Sequence, residues 1–225
     1  IEANDITLDG NGYTISVGES VNYESIIKVT GFKNIIIKNL STEGQLNVYG
    51  ALVKEVENIT IKDLNVNKFK AGFNFTKVND SFIIGSKITN LSLTAINFGD
   101  SHNNKISNNF VDNADTTIKF LSSSNNTLKE NNLGYSSWFS IWFEEFSYKN
   151  LIVNNNISDG MEAVVLRSGS DYNEIVNNTM YNNRLDAMII ETDYNKIINT
   201  NVISESGQDT ISIFGGNSNI LINNK

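Results

Sequence analysis

Asn150-Leu-Ile-Val-Asn-Asn-Asn-Ile157 is the stretch that decides the fold. An Asn opens it, three strand-forming residues follow, and further Asn residues lead to a second apolar position. The phrase returns as Asn104-Lys-Ile-Ser-Asn-Asn109, Asn126-Thr-Leu-Lys-Glu-Asn-Asn-Leu133, Asn173-Glu-Ile-Val-Asn-Asn-Thr-Met180, Asn195-Lys-Ile-Ile-Asn-Thr-Asn-Val202 and Asn219-Ile-Leu-Ile-Asn-Asn224. Looser copies begin at Asn34, Asn58 and Ser81, and successive starts lie 24, 23, 23, 22, 24, 23, 22 and 24 residues apart. So even a period marks a solenoid, whose units bury their apolar faces only against one another.

A second series confirms the register. Phe73-Asn-Phe75, Ile96-Asn-Phe98, Ile118-Lys-Phe120, Ile141-Trp-Phe143, Val164-Val-Leu166, Met188-Ile-Ile190 and Ile211-Ser-Ile213 begin 23, 22, 23, 23, 24 and 23 residues apart. Both series alternate with the two-residue period of a strand, and helical periodicity is missing. Outer members of each triplet are expected to point inward and middle members outward. Strands at this spacing with no helical connector suit coils stacked as parallel sheets around an apolar interior. The expectation is an all-β, right-handed, single-stranded parallel β-helix of about nine to ten coils of 22–24 residues, one domain over residues 1–225. Asn109, Asn131, Asn155 and Asn178 fall at one corner of successive coils, where side-chain amides can bond along the axis.

Composition narrows the function. A net charge of −8 argues against a nucleic-acid or anionic-lipid partner, both of which call for a basic surface. No run approaches the roughly 18 apolar residues of a membrane span. With no Cys, thiolate metal sites are excluded, and with no Pro, turns fall to 38 Asn together with Gly, Ser and Asp. Eight Asn-x-Ser/Thr triplets begin at Asn39, Asn58, Asn74, Asn79, Asn90, Asn125, Asn156 and Asn177, the acceptor pattern for N-glycosylation in an exported protein. A first coil that starts at once and a last repeat cut at Lys225 suggest a segment of a longer protein with neighbouring domains over both ends.

The opening Asn4-Asp-Ile-Thr-Leu-Asp-Gly-Asn-Gly-Tyr-Thr-Ile15 and the Asn-x-Ile-x-x-Asn phrases resemble the right-handed parallel β-helix superfamily typified by pectate lyases. The resemblance is closer to its Asn-rich carbohydrate-associated branch, which includes sugar hydrolases, copper-maturation proteins and archaeal adhesin-like or S-layer proteins. It covers the whole chain and implies the fold; these motifs describe stacking, and activity has to be sought elsewhere.

In the enzymes of that superfamily substrate lies along an exposed parallel sheet, so the outward positions of the second series are the place to search. The middle residues form the column Asn74, Asn97, Lys119, Trp142, Val165, Ile189, Ser212; two residues on runs Thr76, Gly99, Leu121, Glu144, Arg167, Glu191, Phe214. Lys119, Trp142, Glu144, Arg167 and Glu191 combine an aromatic platform with both charge signs, a pattern suited to binding sugar or to a surface ion ladder. A preceding acidic column, Glu162, Asp186 and Asp209, is expected to face water at a turn or to share Ca²⁺. The aromatic run from Trp138 to Tyr148 leaves Trp138, Trp142, Phe146 and Tyr148 as candidates for ligand contact or for an enlarged coil. His102, the single histidine, is expected to be a solvent-facing corner residue with no evident nucleophile, and it makes a copper site a poor fit.

The regular coils, the scarcity of His and Arg, and the sequons point to a non-enzymatic extracellular rod: a surface-layer, adhesin-like or stalk module contacting carbohydrate or neighbouring surface-protein domains. Two alternatives stand beside it, a polysaccharide lyase or glycoside hydrolase acting along the exposed sheet, and a viral or phage fibre segment.

Overall fold

The computed structural model describes residues 1–18, 23–203 and 211–225. Coils in the body of the chain are built from three short strands. One coil holds Phe139–Glu144, Leu151–Val153 and Asn156–Ser158. They pair in parallel with Ile118–Leu121, Thr127–Lys129 and Asn132–Leu133 of the preceding coil and with Glu162–Leu166, Glu174–Val176 and Thr179–Tyr181 of the next. Repetition gives a three-sided solenoid; its first and second faces join where Tyr49–Lys62 runs through their shared corner, and its third face has nine strands. No helix occurs among the described residues. Nine coils at about 4.8 Å make a rod on the order of 43 Å long.

The expected register is the observed one: Phe73, Ile96, Ile118, Ile141, Val164, Met188 and Ile211 pair in sequence. The Asn phrase, expected as one run, is two strands. Its backbone turns at Asn154, which has a left-handed φ of 56°, and Asn155 then points inward. Among the described residues 31 non-glycine residues have positive φ, of which 14 are Asn and 5 are Asp, the side chains that tolerate this conformation best.

Two buried Asn ladders hold the corners. In the first, the Nδ2 groups of Asn109, Asn131 and Asn155 each donate to Oδ1 of the next coil's Asn at 3.0 Å, ending on Asn178. In the second, Asn104, Asn126 and Asn150 do the same at 3.0, 3.1 and 3.1 Å, ending on Asn173. Each Oδ1 also accepts a backbone N–H, as Asn155 does from Asn131, and each Nδ2 also donates to a backbone carbonyl, as Asn131 does to Ile106. The amides thereby satisfy buried main-chain groups that a sharp corner would leave unpaired. On the inner side of the first face runs a file of core rings, Phe75, Phe98, Phe120 and Phe143, with centroids 5.1, 5.4 and 4.8 Å apart.

Among the sequon asparagines, Asn39, Asn58, Asn90, Asn125 and Asn177 are exposed at left-handed turns. Asn74, Asn79 and Asn156 are half-buried; Asn74 and Asn79 accept bonds from the next coil, and Asn156 donates to Tyr181 Oη.

Removing one rung of a ladder orphans several buried groups at about 1–3 kcal/mol each. Asn131→Ala is therefore expected to lose at least about 3 kcal/mol in urea unfolding, whereas Asn132→Ala, exposed one residue away, stays within about 0.5 kcal/mol of the parent. Equal losses would show that the amide ladder does not hold the corner.

Candidate functional site

The outer side of the first face carries three columns of side chains running along the rod. The middle one contains Lys119, Trp142, Val165 and Ile189 in consecutive register. Beside it Glu144, paired in register with Leu121, is followed by Arg167 and Glu191. On the other side Phe139 pairs in register with Glu162, and Asp186 occupies the corresponding place one coil on.

All five residues expected from the sequence stand on this surface, and four form two ion pairs. Lys119 Nζ lies 2.9 Å from Glu144 Oε2, and Arg167 Nε donates to Glu191 Oε1 at 3.1 Å. Lys119 also stands over the Trp142 ring, 3.7 Å from its centroid, while Phe139 meets that ring edge-on at 5.0 Å. One face of Trp142 is thus occupied by an ammonium group, which changes its expected role as an open platform. The open indole is Trp138, 52% exposed at the rim.

Val165 and Ile189 face outward as expected but are not exposed, at 0% and 7%. The cause is local. Arg167 reaches back across the middle column until its guanidinium carbon lies 5.9 Å from the Phe139 ring centroid. Its stem crosses the sheet above Val165, covering apolar surface as long cationic side chains do.

Glu162 is under cover as well. The acidic column was expected to be a solvated turn; instead Glu162 is 8% exposed, and its Oε2 has no hydrogen-bond partner. Burial is the main reason its pKa is raised; the positive charge of Arg167 opposes the rise, and Asp186 and Glu191 add to it. Trp142 Nε1 is likewise buried without a partner. Asp209 lies outside the described residues. Among the described residues no group of three His, Cys, Asp or Glu side chains gathers closely enough to hold a metal ion. A signal for Glu162 was present in the sequence: its corner position is Thr94, Thr116 and Phe139 in the preceding coils, and Ala163-Val-Val-Leu166 follows.

Toward the N-terminal end the surface opens into a cleft of about 320 Å³ lined by Tyr49, Asn74, Leu93, Asn97, Lys119 and Leu121. Asn97 Nδ2 donates to Asn74 Oδ1 at 2.9 Å, which leaves the Asn74 amide N–H groups and the Asn97 carbonyl oxygen for a ligand. From the Tyr49 coil to the Asp186 coil the surface spans six strand spacings, about 29 Å.

His102 differs from its expected isolation. Its Nδ1 lies 2.9 Å from Ser124 Oγ and its Nε2 3.5 Å from Asp100 Oδ1. Ser124 is buried, however, and its own backbone N–H donates to the same Nδ1 at 3.2 Å. The next two backbone N–H groups are spent on Tyr148 O and Asn150 Oδ1, so no donor is free there to stabilise an oxyanion. The three side chains close a corner.

Solved structures with the same coil stack include the A-module of the mannuronan C-5 epimerase AlgE6 from Azotobacter vinelandii, with 14% identity and a TM-score of 0.69, covering 94% of this chain and 80% of that one. An alginate lyase from Paenibacillus sp. str. FPU-7 shows 15% identity and a TM-score of 0.66, covering 99% of this chain and 100% of that one. DFA-IIIase from Arthrobacter chlorophenolicus A6, in complex with GF2, shows 13% identity and a TM-score of 0.57; 84% of this chain spans 60% of that one. At these identities the likeness is one of fold. Comparison with curated proteins gave no match. The non-enzymatic surface-layer, adhesin or stalk module expected from the sequence is overturned by these likenesses, because an epimerase, a lyase and DFA-IIIase are enzymes. Residues 7–179 match the family described as right handed beta helix region, and the chain belongs to that family.

Proposed function

We propose that the chain is a polysaccharide-acting enzyme that breaks glycosidic bonds of a polymer lying along the first face, with Glu162 as the proton donor to the leaving oxygen. The observation that carries this reading is Glu162 itself: an acid 8% exposed, with an unpartnered Oε2, on the outer side of a sheet whose neighbouring coils carry ion pairs and aromatic rings. An isolated buried carboxylate is costly, so burial favours the protonated form. A carboxyl held protonated toward neutrality is what transfer to a glycosidic oxygen calls for. The corners that stack in ladders are instead filled by neutral residues such as Asn155, Ser101 and Thr200 with their side chains bonded, although Asn183 is also buried with its amide unpartnered.

Access runs past Arg167. Its guanidinium is held by one solvent-facing ion pair to Glu191, with the two side chains 34% and 38% exposed, and such pairs contribute only about 0–1 kcal/mol. An entering sugar ring can displace that cover at little cost, with Trp138 offering its open face at the rim. The cleft at Tyr49, Asn74 and Asn97 continues the path along the rod, giving room for several consecutive rings. Because polymers of this size do not cross membranes, the reading implies action outside the cytoplasm.

Release of new reducing ends from a panel of polysaccharides tests this reading. Turnover is expected on at least one polymer and is expected to fall about 10²–10⁴-fold in Glu162→Gln, with the strand signal in circular dichroism unchanged. No turnover on any polymer, or full turnover in that variant, would overturn it.

Protonation also sets a stability signature. A raised folded-state pKa means that the contribution of Glu162 is fully present below the ordinary glutamate value of 4.5 and is lost as pH rises through the raised value. Glu162→Gln removes that loss. Its melting temperature is therefore expected to match the parent at about pH 4 and to exceed it at about pH 7; a constant offset across that range would show that Glu162 does not change protonation on its own.

A further inference from the structure

From the way the charges on the first face are arranged, we infer that the polymer is an uncharged polysaccharide and that its bond is broken by hydrolysis, with Glu191 as the base opposite Glu162. This rests on the polysaccharide-cleaving reading above and goes beyond it by naming the class of substrate and the partner residue.

The balance of charge comes first. Two cations stand on the central part of this face, Lys119 and Arg167, and each is already bonded to a carboxylate, Glu144 at 2.9 Å and Glu191 at 3.1 Å. Glu162 and Asp186 add two further acids with no cation of their own. A uronate polymer brings one carboxylate per ring and needs free cationic donors for it. On the central part of this face a uronate ring reaches Arg167 only by releasing Glu191, so each carboxylate brought in leaves another displaced beside Glu162 and Asp186, and like charges side by side are disfavoured. The whole chain, at −8, repels a polyanion as well.

What remains open to a ligand is largely neutral, with Lys70 over the Tyr49 ring, 5.1 Å from its centroid, as a cation that has no carboxylate partner among the described residues. Trp138 presents an exposed ring, Tyr49 lines the cleft, and the Asn74–Asn97 pair offers amide donors together with a carbonyl acceptor. Hydroxyl groups both donate and accept and can use that mixed set, whereas a carboxylate uses only the donors.

Reaction class follows from substrate class. Elimination requires a proton made acidic by an adjacent uronate carboxyl, which a neutral sugar lacks. In hydrolysis Glu162 gives its proton to the glycosidic oxygen as the bond from that oxygen to the anomeric carbon breaks. Water supplies the oxygen that bonds to the anomeric carbon, and its proton passes to Glu191. Solvent exchange returns a proton to Glu162 and removes one from Glu191, so neither oxidant nor cofactor is consumed. Glu162 and Glu191 come from columns on opposite sides of Val165 and Ile189, so a polymer above that floor lies between them.

The deciding experiment compares neutral polymers (mannan, β-glucan, arabinan) with polymannuronate and polygalacturonate, and adds the same two uronate polymers after chemical reduction of their carboxyls to alcohols. Expected are reducing ends from a neutral polymer at least tenfold faster than from either uronate polymer, gain of activity on carboxyl reduction, no ultraviolet absorbance from an unsaturated end, and at least a hundredfold lower kcat in Glu191→Gln. Preference for a uronate polymer, or an unsaturated product, in a reaction still lost in Glu162→Gln would overturn this inference and leave the cleavage reading standing. Retention of folded Glu162→Gln protein on immobilised glycans needs no turnover and separates the remaining cases. Retention by neutral glycans with no cleavage in the parent would support the substrate class and overturn the enzyme, whereas retention by uronate glycans alone would overturn the substrate class.

Discussion

A buried amide that must bond its copy one coil away is the constraint from which the rest of this structure follows. Asn155 shows why: its oxygen takes the backbone N–H and the amide of Asn131, and its nitrogen serves Leu128 O, Val153 O and Asn178 Oδ1. Such a rung works only if successive coils bring the same residue to the same height, so coil length is confined to 22–24 residues. Coils of fixed length have little chain to spare for loops, which are the usual carriers of function on a rigid scaffold. A site on this molecule has to be written on the outward faces of its strands.

Inside, repetition is complete. The phenylalanine file and the aliphatic positions around it exclude water, and the ladders satisfy the polar groups that the corners turn inward. Outside, each coil is free to differ, since an outward residue contributes little to stability unless something covers it. Two coils spend that freedom unusually: Val165 and Ile189 are apolar where Asn74 and Asn97 are polar, and Glu162 is acidic where Thr94 and Thr116 are neutral. These positions are buried although they lie on the outer side of the sheet, and burial raises the pKa of the acid among them.

The register, the inward triplets and the Asn corner were legible in the sequence because each depends on residues one period apart, and a period is visible in a string of letters. Lys119, Trp142, Glu144, Arg167 and Glu191 were legible for the same reason, as departures from it. What could not be read is what happens when a side chain leaves its own column. Arg167 crosses to Phe139, one coil back and two columns over, and Glu162, expected as a solvated turn residue, is a buried acid. Lys119 does the same on a smaller scale by settling over Trp142 and closing the platform that its neighbours in the sequence suggested. The division of the Asn phrase into two strands was hidden because Asn154 and Asn155 are identical letters with opposite tasks, one bending the chain at φ 56° and the other filling the corner. Regular coils argued for a passive rod, yet regularity is a property of the scaffold, shared with enzymes of the same fold.

One cation acts on two acids on this face, and it serves them unequally. Arg167 hydrogen-bonds Glu191 at 3.1 Å and leaves Glu162 Oε2 without a partner, although its charge is felt there. Were both carboxyls ionised, the buried one would gain most from the guanidinium, because attraction grows as water is excluded. The guanidinium bonds the exposed partner instead, so the two carboxyls differ by environment rather than by residue type: Glu162 is buried with an unpartnered oxygen, and Glu191 is exposed and paired.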